Sequence, residues 1–467
     1  MAKTVSATRG STLVDAVRDR LQRDIENGLL PAGSKLPSIR RAASQFVVSK
    51  NTIVDAYARL VASGHVTSRQ GSGFTVTAMS GGGQRRRHVR EAVDIASLLS
   101  AQLEQDFDVR VGDGRPPASW TDGSEIKRYL GVHSRTLATD SAAYGSAMGY
   151  LPLRQLLARR LGSQMIEAKS DNLLLTFGAN HALDLIVRAL VSPGDTVFVD
   201  DPGYYPLFAK LKFARANVVG IRRTPEGPSV EDFAAKADLH RGGLFFTQSI
   251  GHNPTGGSTT LPIAHAILNI AERNRMLVVE DDPFADLPIV GEDCRLARLD
   301  QLENVVFVGT YSKTLSASLR SGFIAARVDR IAALAELKML TTVNSSGHVE
   351  SLIHRLMSEG HYDQHLKRLG RRIQSTAARV RGNLTKAGMS IFSDRTDGYY
   401  LYMQLPEAMD DIELARLAAK RGLFIAPGSV FCVDKENPLA RGMRVNISRA
   451  DDDRFYSFLL SEIGKPR

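Results

Sequence analysis

Five short apolar runs alternate with longer helical segments along the middle of the chain, and this alternation constrains the fold more than any other feature. Each run is rich in leucine, valine or phenylalanine and ends in small or polar residues. Buried strands of a parallel sheet have this near-continuous apolar character, because helices cover both faces of the sheet. The runs therefore predict an α/β domain, and they are NLLLTFG (172–178), TVFVDDPG (196–203), GGLFFTQ (242–248), MLVVEDD (276–282) and VVFVGTYSK (305–313).

The last part of the chain has a different pattern. Long charged helical segments are followed by YYLYMQL (399–405) and GMRVNIS (442–448), which have the aromatic and β-branched composition of strands. This pattern predicts a smaller α+β subdomain over about 330–467. We expect it to complete a body that spans residues 94–467.

The excess of positive charge lies at the N-terminus. Residues 1–90 contain 15 Lys and Arg but 5 Asp and Glu, whereas the remainder contains 45 of each kind. The formal net charge of +10 at pH 7 therefore belongs to the first 90 residues. This asymmetry predicts a polyanionic partner for the head of the chain. Charge alone is equally consistent with a basic soluble domain that has no polyanionic partner.

Cysteine content and hydropathy indicate the compartment. Two cysteines, Cys294 and Cys432, are too few for a disulfide framework. No apolar run is long enough to span a membrane, and the N-terminus lacks a charged-then-apolar signal pattern. We therefore expect a cytoplasmic protein with no membrane partner.

The first 78 residues show three helical segments followed by a hairpin. Apolar residues recur at four-residue spacing from Leu13 to Ile25, PSIRRAASQF (37–46) predicts a second helix, and Ser49 is the predicted N-cap of a third. HVTSRQGSGFTV (65–76) alternates around a Gly-Ser-Gly turn and predicts a β-hairpin. The pattern predicts an α+β winged helix–turn–helix domain over 1–78. A glycine-rich and then basic segment predicts a flexible linker over 79–93.

This head resembles the DNA-binding head of the GntR family of transcriptional regulators. The shared elements are LPAGSKLPSIRRAA (30–43), VSKNTIVDAYARLVASGHV (48–66) and GSGFTV (71–76). The resemblance implies a double-stranded DNA operator as partner; a winged fold used for protein contact is the alternative. The implied contacts come from Arg40, Lys50, Asn51 and Thr52, with Gln70 and Gly71 placing the wing.

Lys313 follows a predicted strand, where a lysine can be desolvated and aimed at an aldehyde cofactor. Thr310 and Ser312 can donate to a phosphate, and Arg320 can bind it through two nitrogens. Other segments supply further elements of such a site: a glycine turn before a helix, aromatic residues after a strand, acidic residues ending a strand, and a Pro-stiffened turn. These segments are FGANHALDL (177–185), DDPGYYPLF (200–208), VVEDDPFADL (278–287) and HNPTG (252–256).

The order of these motifs resembles the fold-type I aminotransferase family, over roughly residues 94–460. The resemblance implies a large, mostly parallel-sheet domain, a smaller α+β subdomain and pyridoxal 5'-phosphate (PLP) as cofactor. It implies that Lys313 forms the Schiff base, Asp281 pairs with the pyridine nitrogen, Asn253 binds the phenolic oxygen and Tyr204 stacks on the ring. The implied phosphate ligands are Thr310, Ser312, Arg320, Ala179 and Asn180.

Two further residues are implied by the same resemblance. In AYGSAMGYLPLRQLL (143–157), Tyr144 would reach the phosphate of a neighbouring subunit, which implies a homodimer. In MRVNIS (443–448), Arg444 would bind the carboxylate of a substrate or effector.

The chain departs from the family pattern at two places. Many relatives have a tyrosine three residues after the aspartate, whereas this chain has Phe284, which cannot donate to the phenolic oxygen. We therefore predict that the Schiff base stays protonated to higher pH than it would with tyrosine. No second arginine follows the stacking tyrosine in YYPLFAK (204–210).

A GntR-like head joined to an aminotransferase-like body is the arrangement of MocR-type regulators. The sequence therefore predicts a multidomain, PLP-dependent transcriptional regulator that responds to an amino compound or to PLP itself, and it is compatible with weak or partial transamination. An active aminotransferase with an attached DNA-binding head is the alternative. A vestigial dimerisation scaffold is a weaker one, because the chain retains Lys313, Asp281, Asn253 and Arg320.

Overall fold

The structure is a computed structural model that describes residues 12–26, 30, 33–63, 65–69, 73–77, 107–121, 144–240, 243–284, 286–288, 294–407 and 409–463. The chain divides into two compact units, residues 1–87 and 88–467. Each unit is described by itself below. The predicted linker and the predicted wing residues Gln70 and Gly71 lie outside the described residues.

The head contains three helices and a two-stranded antiparallel hairpin, as predicted. Ser38 and Ser49 cap the second and third helices through their hydroxyls, which accept from Arg41 N and Thr52 N respectively. The three helices pack around a core that includes Val17, which is buried. The elements are α1 (Leu13–Glu26), α2 (Ile39–Phe46), α3 (Lys50–Ala62), β1 (Val66–Arg69) and β2 (Gly73–Val76), and Val66 pairs with Val76.

The second unit is built on an eight-stranded mixed sheet. The five apolar runs form five of its strands, as the sequence predicts. The remaining three come from segments that showed no clear strand pattern. In chain order the strands are β3 (Leu173–Thr176), β4 (Thr196–Asp201), β5 (Asn217–Thr224), β6 (Gly227–Pro228), β7 (Leu244–Thr247), β8 (Leu277–Asp282), β9 (Val305–Thr310) and β10 (Gly322–Ala325).

The strand order across the sheet is β3-β10-β9-β8-β7-β4-β5-β6. The central pairs, from β9 to β5, are parallel, whereas β10 runs antiparallel to both β3 and β9. Because β3 and β9 run the same way, the carboxyl ends of β3, β4, β7, β8 and β9 all lie at one edge of the sheet. Ligands of open α/β sheets bind at this edge.

Helices cover the sheet, and buried apolar side chains from both faces form two hydrophobic cores. The helices of this unit include two short ones, at 118–121 and 296–300. They are α4 (Ala118–Thr121), α5 (Leu151–Ser163), α6 (Ala179–Leu190), α7 (Tyr205–Phe213), α8 (Val230–Leu239), α9 (Leu261–Arg273), α10 (Leu296–Asp300), α11 (Val328–Thr342), α12 (Gly347–Ser358), α13 (His361–Lys386), α14 (Asp411–Lys420) and α15 (Asp453–Ile463).

A second, four-stranded antiparallel sheet follows α13, as YYLYMQL and GMRVNIS predict. Its order is β11-β12-β14-β13, and Tyr402 pairs with Arg444 in the register of the two central strands. The strands are β11 (Ser390–Ile391), β12 (Tyr400–Gln404), β13 (Ala426–Pro427) and β14 (Gly442–Asn446). None of the helices in the described part of the chain combines the length and apolar character that a membrane span requires.

Candidate cofactor and ligand site

The predicted site residues of the second unit gather at the carboxyl edge of the large sheet. Lys313 follows the end of β9, Asp281 lies near the end of β8, Asn253 follows β7, and Tyr204 follows β4. Strand pairing sets these positions, since Asp281 of β8 pairs with Val308 of β9.

Three of the predicted phosphate ligands converge on Gly178. This residue has a φ of +91°, which glycine adopts without strain. A Cβ at this position would lie 3.4 Å from Arg320 Nη2, 3.5 Å from Thr310 Oγ1 and 3.6 Å from Ser312 Oγ. The missing side chain therefore leaves a space lined by a guanidinium and two hydroxyls.

The helix α6 begins at Ala179, immediately after this space. Its N-cap is glycine, which provides no capping side chain for the amides of the first turn, including those of Ala179 and Asn180. A helix N-terminus carries a partial positive charge and orphan N–H groups that favour anions. The space beside Gly178 thus has the donors and the charge that a phosphate requires.

Arg320 is fixed toward this space by its own backbone and by one carbonyl. It adopts a left-handed conformation, with φ of +46°, and its Nη2 donates to Phe177 O at 2.9 Å. The Thr310 hydroxyl donates to Ser321 O at 3.2 Å. These contacts orient the side chains before any ligand is present.

The Asp281 carboxyl has one buried oxygen, Oδ1, that no neighbouring group among the described residues satisfies with a hydrogen bond. Burial raises the pKa of Asp281 to about 7, and Asp282 adds to the rise while Lys313 opposes it. A buried carboxyl without a donor is costly, and a protonated ring nitrogen is the donor that would relieve it.

An aromatic face lies beside this carboxyl. Tyr204 lines a cavity together with Asp281, Asp200 and His252. Burial and the neighbouring Asp281 carboxylate raise the pKa of the Tyr204 hydroxyl above its usual range, so this ring stays neutral. A flat, neutral aromatic side chain can stack on a pyridine ring.

A buried ion-pair network holds the Asn253 turn, and no local pattern in the sequence indicates it. Asp200 Oδ2 accepts from Arg223 Nη1 at 2.8 Å and from Gln248 N at 3.1 Å. Gln248 Oε1 in turn accepts from Asn253 N at 2.9 Å. Burial raises the pKa of Asp200, but the Arg223 charge and the hydrogen bonds from His252 and Gln248 together hold that pKa below its usual value. Burial lowers the pKa of His252, which contacts Asp200, to about 4.

Arg444 enters the site from the small sheet. It is almost fully buried, and its guanidinium carbon lies 5.2 Å from the Tyr400 ring centre and 4.9 Å from that of Phe431. Its Nη1 donates to Asn253 Oδ1 at 2.8 Å. This bond orients the Asn253 amide, so that its Nδ2 is the group left to donate to a ring oxygen.

Lys313 is half-buried, and its Nζ donates to Gly114 O. The Tyr400 hydroxyl donates to the same carbonyl at 2.8 Å, and the Tyr399 hydroxyl donates to Lys313 O at 2.8 Å. The segment around Gly114 and the tyrosine pair are contacts that the sequence motifs did not reveal. Tyr400 begins β12 and Tyr399 immediately precedes it, and β12 is paired with β14, the strand that carries Arg444. The pairing of Tyr400 with Asn446 brings both tyrosines to the site.

Phe284 is fully buried and packs edge-on against Tyr399 and Tyr400, with ring centres 5.5 Å and 6.0 Å away. Tyr144 is 86% exposed in the single chain. It is therefore available to another subunit, and the role implied for it stays a prediction.

The predicted DNA-contacting residues lie on the surface of the head. Arg40, Lys50 and Asn51 are exposed. Thr52 is half-buried, and its Oγ1 lies 2.8 Å from Ser49 Oγ, so this hydroxyl takes part in the cap of α3. Gln70 and Gly71 lie outside the described residues.

The fold and the site define a class of protein: an aminotransferase-like body preceded by a winged helix–turn–helix head. Comparison with known families agrees. Residues 124–457 match aminotransferase class I and II, and residues 13–76 match the gntR family of bacterial regulatory proteins. The chain belongs to the aminotransferase class I and II family, and with its GntR head it is a transcriptional regulator of the MocR type.

The chain is similar to individual proteins over most of its length. The chain is 26% identical to the uncharacterized HTH-type transcriptional regulator YdfD of Bacillus subtilis, with 89% of each chain covered. It is 28% identical to the probable rhizopine catabolism regulatory protein MocR of Rhizobium meliloti, over 88% of this chain and 85% of the relative. In fold it is similar to a Pyrococcus horikoshii kynurenine aminotransferase, with a TM-score of 0.72, 23% identity, and coverage of 80% of this chain and 95% of the other.

Proposed function

We propose that the protein is a PLP-binding transcriptional regulator that responds to a small amino compound. One observation carries the proposal. At a single edge of the sheet, Lys313, the unpartnered Asp281 carboxyl and the space beside Gly178 lie together, each suited to a different part of PLP.

PLP, when bound, supplies an aldehyde that reacts with amines and a ring that withdraws electrons. The chain's own residues then have separate tasks. Lys313 would provide the amine that holds the aldehyde carbon. Asp281 would accept a hydrogen bond from the ring nitrogen and keep that nitrogen protonated. Asn253 Nδ2 would donate to the ring oxygen, and Tyr204 would supply an aromatic face for the ring.

Arg444 is the residue that favours an amino acid as the ligand. Its guanidinium is buried between two aromatic rings, and its Nε has no hydrogen-bond partner among the described residues. A buried guanidinium with an unpaired N–H group favours a carboxylate. A ligand amine must replace Lys313, and a ligand carboxylate would bind Arg444.

The regulatory output requires two states with different affinity for DNA. The exposed Tyr144 supports a homodimer in which each subunit completes the phosphate site of the other. Such a dimer would present two heads to an operator. The ligand can change DNA binding only by the difference in its affinity for the two states. We propose the cytoplasm as the site of action, where the operator is accessible.

The test combines visible absorbance with DNA binding. The full chain is titrated with PLP, and operator affinity is measured without PLP, with PLP, and with PLP plus candidate amino acids. A PLP-dependent band that is lost in Lys313→Ala, together with a change in operator affinity on adding an amino acid, supports the proposal. The absence of a band, or its survival unchanged in Lys313→Ala, removes the cofactor claim. A change in operator affinity on adding PLP alone, without an amino acid, would show that PLP itself is the effector.

A second candidate is an active aminotransferase with an attached head. It is favoured by the complete set of Lys313, Asp281, Asn253 and Arg444 at one site. Phe284 opposes it, because it cannot donate a hydrogen bond to the ring oxygen. Steady turnover of an amino acid with a keto acid at typical enzyme rates would select this alternative.

A further inference from the structure

One turn contacts both Arg444 and Lys313. Gly112 O accepts from Arg444 Nη2 at 2.7 Å, and Gly114 O accepts from Lys313 Nζ. The residue assigned to the ligand carboxylate and the residue assigned to the aldehyde are thus held by carbonyls two positions apart. We call residues 112–114 the carbonyl turn.

The carbonyl turn is locked in place by its middle residue. Asp113 is fully buried. Its Oδ2 accepts from Arg110 Nε at 3.2 Å, and its Oδ1 accepts from the backbone N and the Nε of Arg115 at 3.0 Å and 3.3 Å. Arg449 Nη2 also lies 3.6 Å from Oδ2. One carboxylate therefore gathers three guanidiniums around the turn.

A neutral side chain holds the same turn from the small sheet. Asn446 Nδ2 donates to Asp113 O at 2.8 Å and to Arg115 O at 3.0 Å. Asn446 lies two positions after Arg444 on β14. The strand that carries the carboxylate-binding arginine thus also carries the amide that fixes the turn.

The turn occupies space that a carboxylate on Arg444 needs. A Cβ on Gly114 would lie 3.3 Å from Arg444 Nη2 and 3.5 Å from Nη1, so the turn covers the Nη side of this guanidinium. Both Nη groups already donate, to Gly112 O and to Asn253 Oδ1. A carboxylate can pair with two nitrogens of this guanidinium either through both Nη groups or through the unpaired Nε and Nη2. Both arrangements use Nη2, so the carboxylate competes with Gly112 O for this group.

We propose that the carbonyl turn is a latch, held by Asp113 and Asn446, that a ligand carboxylate displaces from Arg444. Asp113 is then a positioning residue: it contacts no ligand and sets how readily Arg444 becomes available. The inference rests on the proposed function, since it takes Lys313 and Arg444 in the roles given above. In the sequence the latch lies after the predicted linker 79–93.

The first test uses two stable cofactor adducts and hydrogen exchange of the full chain. Phosphopyridoxyl-L-leucine carries a carboxylate, and phosphopyridoxyl-isoamylamine is its match without one. Neither adduct can form a Schiff base with Lys313, and only the first has a carboxylate that can take Arg444 from Gly112 O. We expect amides of residues 107–116 to exchange about fivefold faster or more with the carboxylated adduct.

The outcomes separate the two proposals. If both adducts bind and exchange in 107–116 is the same with each, the latch is wrong while the proposed function stands. If neither adduct binds, the proposed function fails and the latch fails with it. Binding is monitored independently through the absorbance of the adducts.

The second test uses Asp113→Asn and Asn446→Ala, measuring affinity for each adduct. Both variants loosen the turn, and only the first changes the charge. For each variant we expect the ratio of its affinity for the carboxylated adduct to its affinity for the matched adduct to be roughly fivefold higher than in wild type. General damage to the site would lower the affinity for both adducts alike and leave the ratio of the two affinities unchanged. A ratio unchanged or lowered in both variants overturns the latch.

Discussion

Arg444 Nη1 donates to Asn253 Oδ1 at 2.8 Å, and this bond joins the small antiparallel sheet to the turn that follows β7 of the large sheet. The two residues are far apart in sequence; Arg444 lies on a strand of the small sheet, and Asn253 lies after a strand of the large one. Their contact places the guanidinium proposed to bind a carboxylate beside the amide proposed to bind the ring oxygen.

Replacing Arg444 should separate ligand binding from cofactor binding. Arg444→Lys keeps the charge but loses the planar pair of donors. We expect PLP binding to persist and the affinity for phosphopyridoxyl-L-leucine to fall roughly 10-fold to 100-fold. Titration monitored by absorbance measures both. Arg379→Lys, at an exposed pair with Asp451, is the matched control. An Arg444→Lys variant that binds the adduct like wild type would exclude Arg444 as the carboxylate site.

Asp281 should give the cofactor-free protein a distinctive pH dependence. Its pKa is raised to about 7 in the folded state, so the folded protein binds this proton more tightly than the unfolded chain does. Its contribution to the free energy of unfolding is fully present below about pH 4 and is lost as pH rises through about 7. Asp281→Asn removes this loss, and its stability relative to wild type should increase by up to about 4 kcal/mol between pH 4 and pH 8.

Urea unfolding of both proteins at several pH values measures this difference. Glu280, whose pKa burial also raises to about 7, is present in both proteins and cancels in the comparison. Parallel pH profiles for wild type and Asp281→Asn would mean that the carboxyl is not desolvated as the structure shows.

The head should bind duplex DNA with a salt dependence that depends on Lys50. Each phosphate contact adds about 0.9 to the slope of log affinity against log salt concentration. Lys50→Ala should lower the slope by about this amount on any duplex. Arg59→Ala removes the same charge from the same helix, but Arg59 Nη1 is paired with Asp15 at 2.5 Å, so its effect should be less than half as large. Equal slopes for Lys50→Ala and wild type would remove Lys50 from the interface.

Phe284→Tyr should restore a donor near the ring oxygen. A hydrogen bond to the charged form of an oxygen stabilises that form. We expect the pH at which the visible band of the PLP-loaded protein changes to fall by about one unit. A spectral titration of the two proteins measures this shift. If the midpoints coincide, position 284 does not influence the ring oxygen.

The local features of this fold could be predicted from sequence. Ser49 is recognisable as an N-cap because its hydroxyl bonds an amide three residues away. The five apolar runs became strands because burial on both faces imposes a composition that short windows reveal. Lys313 and Asp281 were found for the same reason, since each lies at or just after the end of such a run.

The features that were missed depend on contacts between distant residues. β10 lies antiparallel between β3 and β9, and nothing in the segment 322–325 specifies those partners. The Asp200–Arg223 pair and the contact of Gly112 with Arg444 each join residues from different elements. The role of Asp113 follows only from its complete burial among arginines, which spacing along the chain does not encode.

The proposed function requires that Lys313 is the residue that holds the cofactor. Borohydride reduction of the PLP-treated full chain fixes the cofactor on the amine that holds it, and peptide mapping by mass spectrometry then identifies that amine. We expect one phosphopyridoxyl group per chain, on the peptide that contains Lys313. A label on another lysine, or labels scattered over surface lysines with Lys313 unmodified, would show that Lys313 does not hold the cofactor.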